Sequence, residues 1–327
     1  MADLTTPIDV TAIQGTANQM KPKIKKLMMH SIRTVLGTLA NIKGVQSTID
    51  MLTFIEGNIA IPYDPTLQNW QKLGDIKKRT ASVKVGMVPI KDEIERYRDT
   101  YMVALEDLNL TEKKLPFAQW YLETYVGVGL QSLFVLPYQG VHNASGTTAI
   151  DIADGFFKII EDEKAASTPG ISEALGNMYV LSGAATDYTA SNIGDELKAQ
   201  YFSMPEITQQ LAVVEIRIPY RYKQMYKEWF KSEYPNITNG DIDATYLDGT
   251  DKKAKFIWES AMGTSRKVIM NVKGVMTYET DKDNKEFGKA TIFHPENNPF
   301  YIAMVNKIVI GFQIHTLDKR VFNVNNL

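Results

Sequence analysis

Residues 78–97, KRTASVKVGMVPIKDEIERY, constrain the fold of this chain more than any other stretch. Val83, Val85 and Met87 alternate with Ser82, Lys84 and Gly86, which is the two-residue period of a strand, and charged residues crowd both flanks. The pattern predicts the returning arm of a two-stranded ribbon, paired with part of residues 66–78. Two strands alone are marginal in water, because a single thin layer leaves both faces wet. Such a ribbon needs a cover. Sequence leaves two covers open: the chain's own core, or another subunit beneath a ribbon that projects.

Around this segment the chain reads as α+β. Residues 1–20 show no sustained period and are expected to form an extended arm that orders against a partner. A helix is predicted from Lys21, with Ile24, Leu27, Met28, Val35, Leu39 and Ile42 at helical spacing. A second amphipathic piece is expected around Ile49, Leu52, Phe54 and Ile55, before Pro62 and Pro65 break the pattern. The strongest helical signal covers 112–136, where Leu115, Phe117, Trp120, Tyr121, Tyr125 and Val128 make a broad apolar face behind Thr111 as N-cap. It runs into a tip at Asn143–Thr147, taken as a domain boundary. Further helices are predicted over 152–163, 191–202 and 220–234. Strands are predicted over 212–219, 256–258 and 268–270, and in the β-rich run from Ile302 to Val324.

Composition closes off several kinds of function. The chain has 327 residues, 44% of them hydrophobic, enough for a real core and for roughly two domains. With 36 basic and 38 acidic side chains the net charge is -2, so bulk attraction does not bind a polyanion; nucleic acid would have to be enclosed. No cysteine is present, which removes disulfide and thiol chemistry. No apolar run reaches the ~18 residues of a membrane span, so no membrane partner is expected. Met1 to Gln19 lacks the charged-then-apolar order of a secretory signal.

Site motifs are missing too. His30, His142, His294 and His315 share no ligand spacing, and neither a phosphate loop nor a G-x-S-x-G elbow occurs. Glu161-Asp162-Glu163 and Asp281 with Asp283 read as solvated charge rather than an acid–base pair. The aromatic, basic stretch 220–234 puts Tyr222, Met225, Tyr226, Trp229 and Phe230 on one face, so packing explains it better than stacking on bases. No catalytic, cofactor or metal site is expected. Lys21, Lys23, Lys25 and Lys26 form the only basic run, read either as a solvated face or as a contact with a neighbour or enclosed nucleic acid.

Four stretches carry a family resemblance: Leu115-Pro116-Phe117-Ala118-Gln119-Trp120, Asp154-Gly155-Phe156-Phe157-Lys158-Ile159-Ile160, the unit from Val213 to Tyr234, and Met262-Gly263-Thr264-Ser265-Arg266. Together with the order of elements they resemble the major capsid proteins of tailed bacteriophages, of Hong Kong 97-like fold, in particular those of phages infecting Bacteroidetes-type bacteria. The resemblance implies an N-terminal arm (1–24), an N-terminal helical segment (25–65) and an extended β-ribbon loop (66–100). It further implies a peripheral domain with a spine helix (101–149), an axial domain (150–270) and closing strands of the peripheral domain (271–327). The implied function is structural and not enzymatic: self-assembly into pentamers and hexamers of an icosahedral shell around double-stranded DNA, without sequence-specific binding. Portal, scaffold and decoration proteins are the further partners it implies. The virion is the implied location, with assembly in the host cytoplasm. Val83, Lys84, Val85, Met87, Lys21, Lys23, Lys25 and Lys26 are the expected subunit-interface residues. The alternatives are an encapsulin-like compartment shell, another virion component, and an α+β enzyme with a site gathered from distant residues.

Overall fold

The computed structural model describes residues 32, 35–56, 74–93, 131–184, 186–236, 244–281, 290–293 and 301–327. In chain order the strands are β1 (Ala40–Lys43), β2 (Thr48–Glu56), β3 (Gly74–Ser82), β4 (Lys84–Glu93), β5 (Met178–Tyr179), β6 (Val214–Pro219), β7 (Ala254–Glu259), β8 (Ile269–Val272), β9 (Met276–Thr280), β10 (Ala290–Phe293), β11 (Tyr301–Ile314) and β12 (Phe322–Asn325). The helices are α1 (Leu136–Gln139, one turn), α2 (Phe156–Ala165), α3 (Ile193–Phe202), α4 (Glu206–Leu211) and α5 (Tyr222–Glu233). Nearly all of the expected spine helix 112–136, and the arm 1–24 with Lys21, Lys23, Lys25 and Lys26, lie outside the described residues.

β11 organises the first sheet. Its sequence, YIAMVNKIVIGFQI, is dominated by β-formers, and Ile302, Met304, Ile308, Ile310, Phe312 and Ile314 all bury toward the main core. β4 runs antiparallel along one edge of β11, from Tyr301 opposite Glu93 to Ile310 opposite Lys84. β10 and then β9 run antiparallel along the other edge, and β1 lies parallel outside β9. Helix α2 packs beneath, with the Phe156 ring 5.7 Å from Phe312 and 5.7 Å from Tyr138.

The second sheet has the order β5-β12-β8-β6-β7, with β5–β12 and β6–β7 parallel and the other pairs antiparallel. Every residue of β6 is buried, as a central strand covered on both faces requires. On one side α3 and α5 bring Ile193, Leu197, Tyr226 and Trp229 onto Val214, Ile216 and Ile218. Gly194 permits this approach: a Cβ there would stand 2.2 Å from the Trp229 ring. β12 enters this sheet between β5 and β8, so residues 271–327 are shared between both sheets rather than closing the first alone.

Arg217 joins the two bodies. Its guanidinium is 1% exposed. It donates to Glu215 (2.7 Å), Asn271 (3.2 Å), the Thr38 carbonyl (2.6 Å) and hydroxyl (2.7 Å), and the Tyr138 hydroxyl (3.3 Å). Glu259 lies 3.5 Å away, and burial pushes its carboxyl above the usual range against the pull of Arg217. Glu215, Asn271 and Glu259 belong to the second sheet; Thr38 and Tyr138 belong to the first body.

Two predicted elements change type. The helix expected through Ile42 stops short of Ala40, and Ala40–Lys43 is β1, hydrogen-bonded alongside β9. The amphipathic piece around 49–55 is β2. Ile49 and Leu52 stand three apart as on a helix, while Ile49 with Met51 and Leu52 with Phe54 stand two apart as on the two faces of a strand; over so short a run spacing does not decide, and the partner strand does. The predicted strands and helices from 152 onward are found close to their expected bounds.

Candidate assembly surfaces

The ribbon is present one strand earlier than the pattern placed it. β2 and β3 form a separate two-stranded antiparallel sheet, from Thr48 opposite Ser82 to Glu56 opposite Gly74. The expected pairing of 66–78 with 78–97 is corrected: residues 84–93 form a strand of the main sheet instead. The apolar run of β11 supplies a long partner for β4, which no local hairpin would equal.

The two faces of the ribbon differ. On the inner face Met51 and Ala81 are buried, and Arg79 reaches down to the body. Its Nε donates to the Ile314 carbonyl at 2.8 Å, and its Nη2 lies 2.8 Å from the Glu163 carboxylate. Gln313 Nε2 donates to the Thr80 carbonyl at 2.9 Å. On the outer face Leu52 is 59% and Ile76 66% exposed. Beside them Asp50 accepts from Lys78 (2.7 Å) and Thr80 (2.9 Å), which hold its carboxyl below the usual range.

The root of the ribbon crosses β11 at Gly311. A Cβ there would stand 2.2 Å from the Ser82 carbonyl, so only glycine lets the crossover lie flat. Val83 donates its N–H to Ser47 and packs with Val45 and Val309 in a small separate core.

The expected interface residues are therefore divided. Val83 is buried in its own chain, Lys84 is half-buried, and Val85 and Met87 are each 62% exposed. The β4 alternation explains it: Gly86, Val88 and Ile90 turn inward while Val85 and Met87 face out. A further apolar area, absent from the sequence reading, lies on the second body, where Phe202, Ile207, Leu211 and Val213 are exposed around α4. Ile207 and Leu211 stand four apart in Glu206–Leu211, a spacing that was legible but too short to weigh.

Ligand chemistry finds little footing. A cleft of about 450 Å³ lies between Gly37–Ala40 and β7. Its carboxylate, Glu215, is engaged by Arg217, and Lys255 and Lys273 complete the charge on its walls. Among the described residues no three His, Asp or Glu side chains gather as a metal site, and no helix is long and apolar enough to cross a membrane.

No protein-family model and no curated protein matches the sequence. Solved structures do. A chain of the satellite phage P4 procapsid, solved with its size-determination protein, superposes with a TM-score of 0.56 at 10% identity, covering 99% of this chain and 92% of the other. The capsid of a native GTA particle gives 0.54 at 10% identity, over 90% and 89% of the two chains. The capsid of cyanophage A-1(L) gives 0.54 at 12% identity, over 89% and 91%.

This is the Hong Kong 97-like capsid fold.

At 10–12% identity the likeness is one of fold. In this chain the β5-β12-β8-β6-β7 sheet and the β11-centred sheet meet at Arg217, and the β2–β3 ribbon is rooted on the latter.

Proposed function

We propose that this protein is the major capsid protein of a tailed bacteriophage. It is a structural subunit and not an enzyme. It assembles into pentamers and hexamers of an icosahedral shell around double-stranded DNA. The observation that carries this reading is that a capsid fold takes in 99% of this chain and 92% of the P4 procapsid chain. The stretches at 115–120, 154–160, 213–234 and 262–266 favour a phage of Bacteroidetes-type bacteria.

In this reading, copies meet head-to-tail, and such heterologous contacts close into rings. The exposed apolar side chains Val85 and Met87, with Lys84 beside them, lie under a neighbour's ribbon, and the outer ribbon face with Leu52 and Ile76 lies over another copy. Val83 serves beneath, seating the ribbon. The arm 1–24, with Lys21, Lys23, Lys25 and Lys26, clasps an adjacent subunit. The mixed body within 150–270 faces the ring centre and presents Phe202, Ile207 and Leu211 there. Permanent interfaces bury on the order of 2,000 Å² or more. At about 25 cal/mol per Å² of apolar area this is ample gross drive, offset by ordering and association costs. The mature subunit resides in the virion, after assembly in the host cytoplasm with portal, scaffold or decoration proteins.

Negative-stain microscopy with mass by light scattering tests this directly. Closed shells of one size class are expected from the purified protein or its virion, with DNA inside the virion. A stable monomer at high concentration, or tubes alone, would overturn it; shells filled with protein cargo would point to a cellular compartment.

A further inference from the structure

Glu279 is a buried carboxylate without the partners such a group needs. Its side chain has no exposure. Oε1 accepts from the Thr277 hydroxyl at 2.7 Å, and among the described residues Oε2 has no hydrogen-bond partner. An ionised carboxylate in such a place is costly, so the group holds its proton instead.

Its surroundings are the root of the ribbon. Glu279 stands opposite Gly311 of β11 on one side and Ile42 of β1 on the other. Gly311 is where the Ser82–Val83 crossover presses on the sheet. The next residue, Thr280, accepts from the backbone N–H groups of Gly44 and Val45, which lead into β2. Ile42 and Ile49 pack on the Val45, Val83 and Val309 cluster that closes the site.

Among the described residues no charge compensates it. Lys43 and Lys84 stand opposite Thr280 and Ile310, whose side chains alternate to the other face. Arg79 is engaged by Glu163, and Asp50 and Lys78 pair with each other on the outer face of the ribbon. Lys77 lies farther out along β3, near Asp318, while Asp281 follows β9 and Lys307 lies on β11. None of these forms an ion pair with Glu279 or moves its titration.

We propose that Glu279 is a proton-operated latch on the root of the β2–β3 ribbon: protonated, it lets the root seat on the sheet, and ionised, it loosens the root. Burial raises its carboxyl from the ordinary 4.5 to about 7. The closed root binds the proton more tightly than an opened, wetted root. Closure is therefore strongest at acid pH and weakens as pH climbs from about 4.5 through about 7. The latch belongs to the single chain and is tested apart from shell formation.

Hydrogen exchange on the purified chain reads it through the amides of Gly44, Val45 and Val83, with β6 as internal reference. After correction for intrinsic rates, root protection relative to β6 should fall about tenfold or more between pH ~5.5 and pH ~8.5. In Glu279→Gln, which keeps the shape without the charge, the ratio should stay level. A wild-type ratio that does not change with pH overturns the proposal, and so does a pH response that persists in the variant. If the variant does not fold, the wild-type ratio alone decides.

Discussion

Arg217 places a full charge where water cannot reach it, and six protein groups share the task of replacing that water. Replacing a buried pair wholly with apolar groups is often harmless, whereas removing one member strands the rest. Arg217→Met leaves Glu215 and Glu259 buried together without a cation. A loss of about 3–5 kcal/mol in denaturant unfolding is expected. Sequence showed Glu215-Ile216-Arg217 as part of a strand; that both charges would be buried was not legible, because their partners lie far off at Thr38, Tyr138 and Glu259. Val83 is the converse case. Its alternation with Val85 and Met87 read as one face, yet the chain crosses over between β3 and β4 there, and Val83 turns into a core of its own.

At the scale of elements, Val85 and Met87 of β4 and Leu52 and Ile76 of the outer ribbon face are exposed apolar side chains without cover among the described residues. A paired charge change, Val85→Asp with Met87→Asp, keeps the strand register, since neither side chain turns inward. The expected outcome is a chain with unchanged circular dichroism and melting temperature that no longer forms shells, read by light scattering. Loss of fold would instead mark this stripe as part of the core. That a strand runs through 84–87 was legible in its two-residue period. Which strands pair was not: β4 finds β11 more than 200 residues away, and local pattern carries no record of such a partner. β2 was misread as helical for a related reason, since a short run cannot separate the two periods.

For the molecule as a whole, arrangement rather than any motif made the capsid fold readable. Two stretches central to that reading, the arm and the spine helix, lie outside the described residues, so the arm is best approached by deletion. Removing residues 1–20 should leave a folded chain but reduce shell yield severalfold, counted by microscopy against soluble subunits. Wild-type yield would show that the arm clasps nothing essential. The return of Phe322–Asn325 into the second sheet was hidden as well, because a continuous β-rich run from 302 onward gives no sign that its end joins a different layer.

The Arg217 junction has a geometric consequence for any closed shell. Five-fold and six-fold rings demand different dihedral angles between adjoining subunits. A subunit whose two halves share a buried core and are tied across it by the Arg217 guanidinium has little internal play to meet that difference. The bending then falls to the ribbon, which among the described residues is held at its root and through Arg79, so curvature would be selected there while the body behaves as a rigid tile.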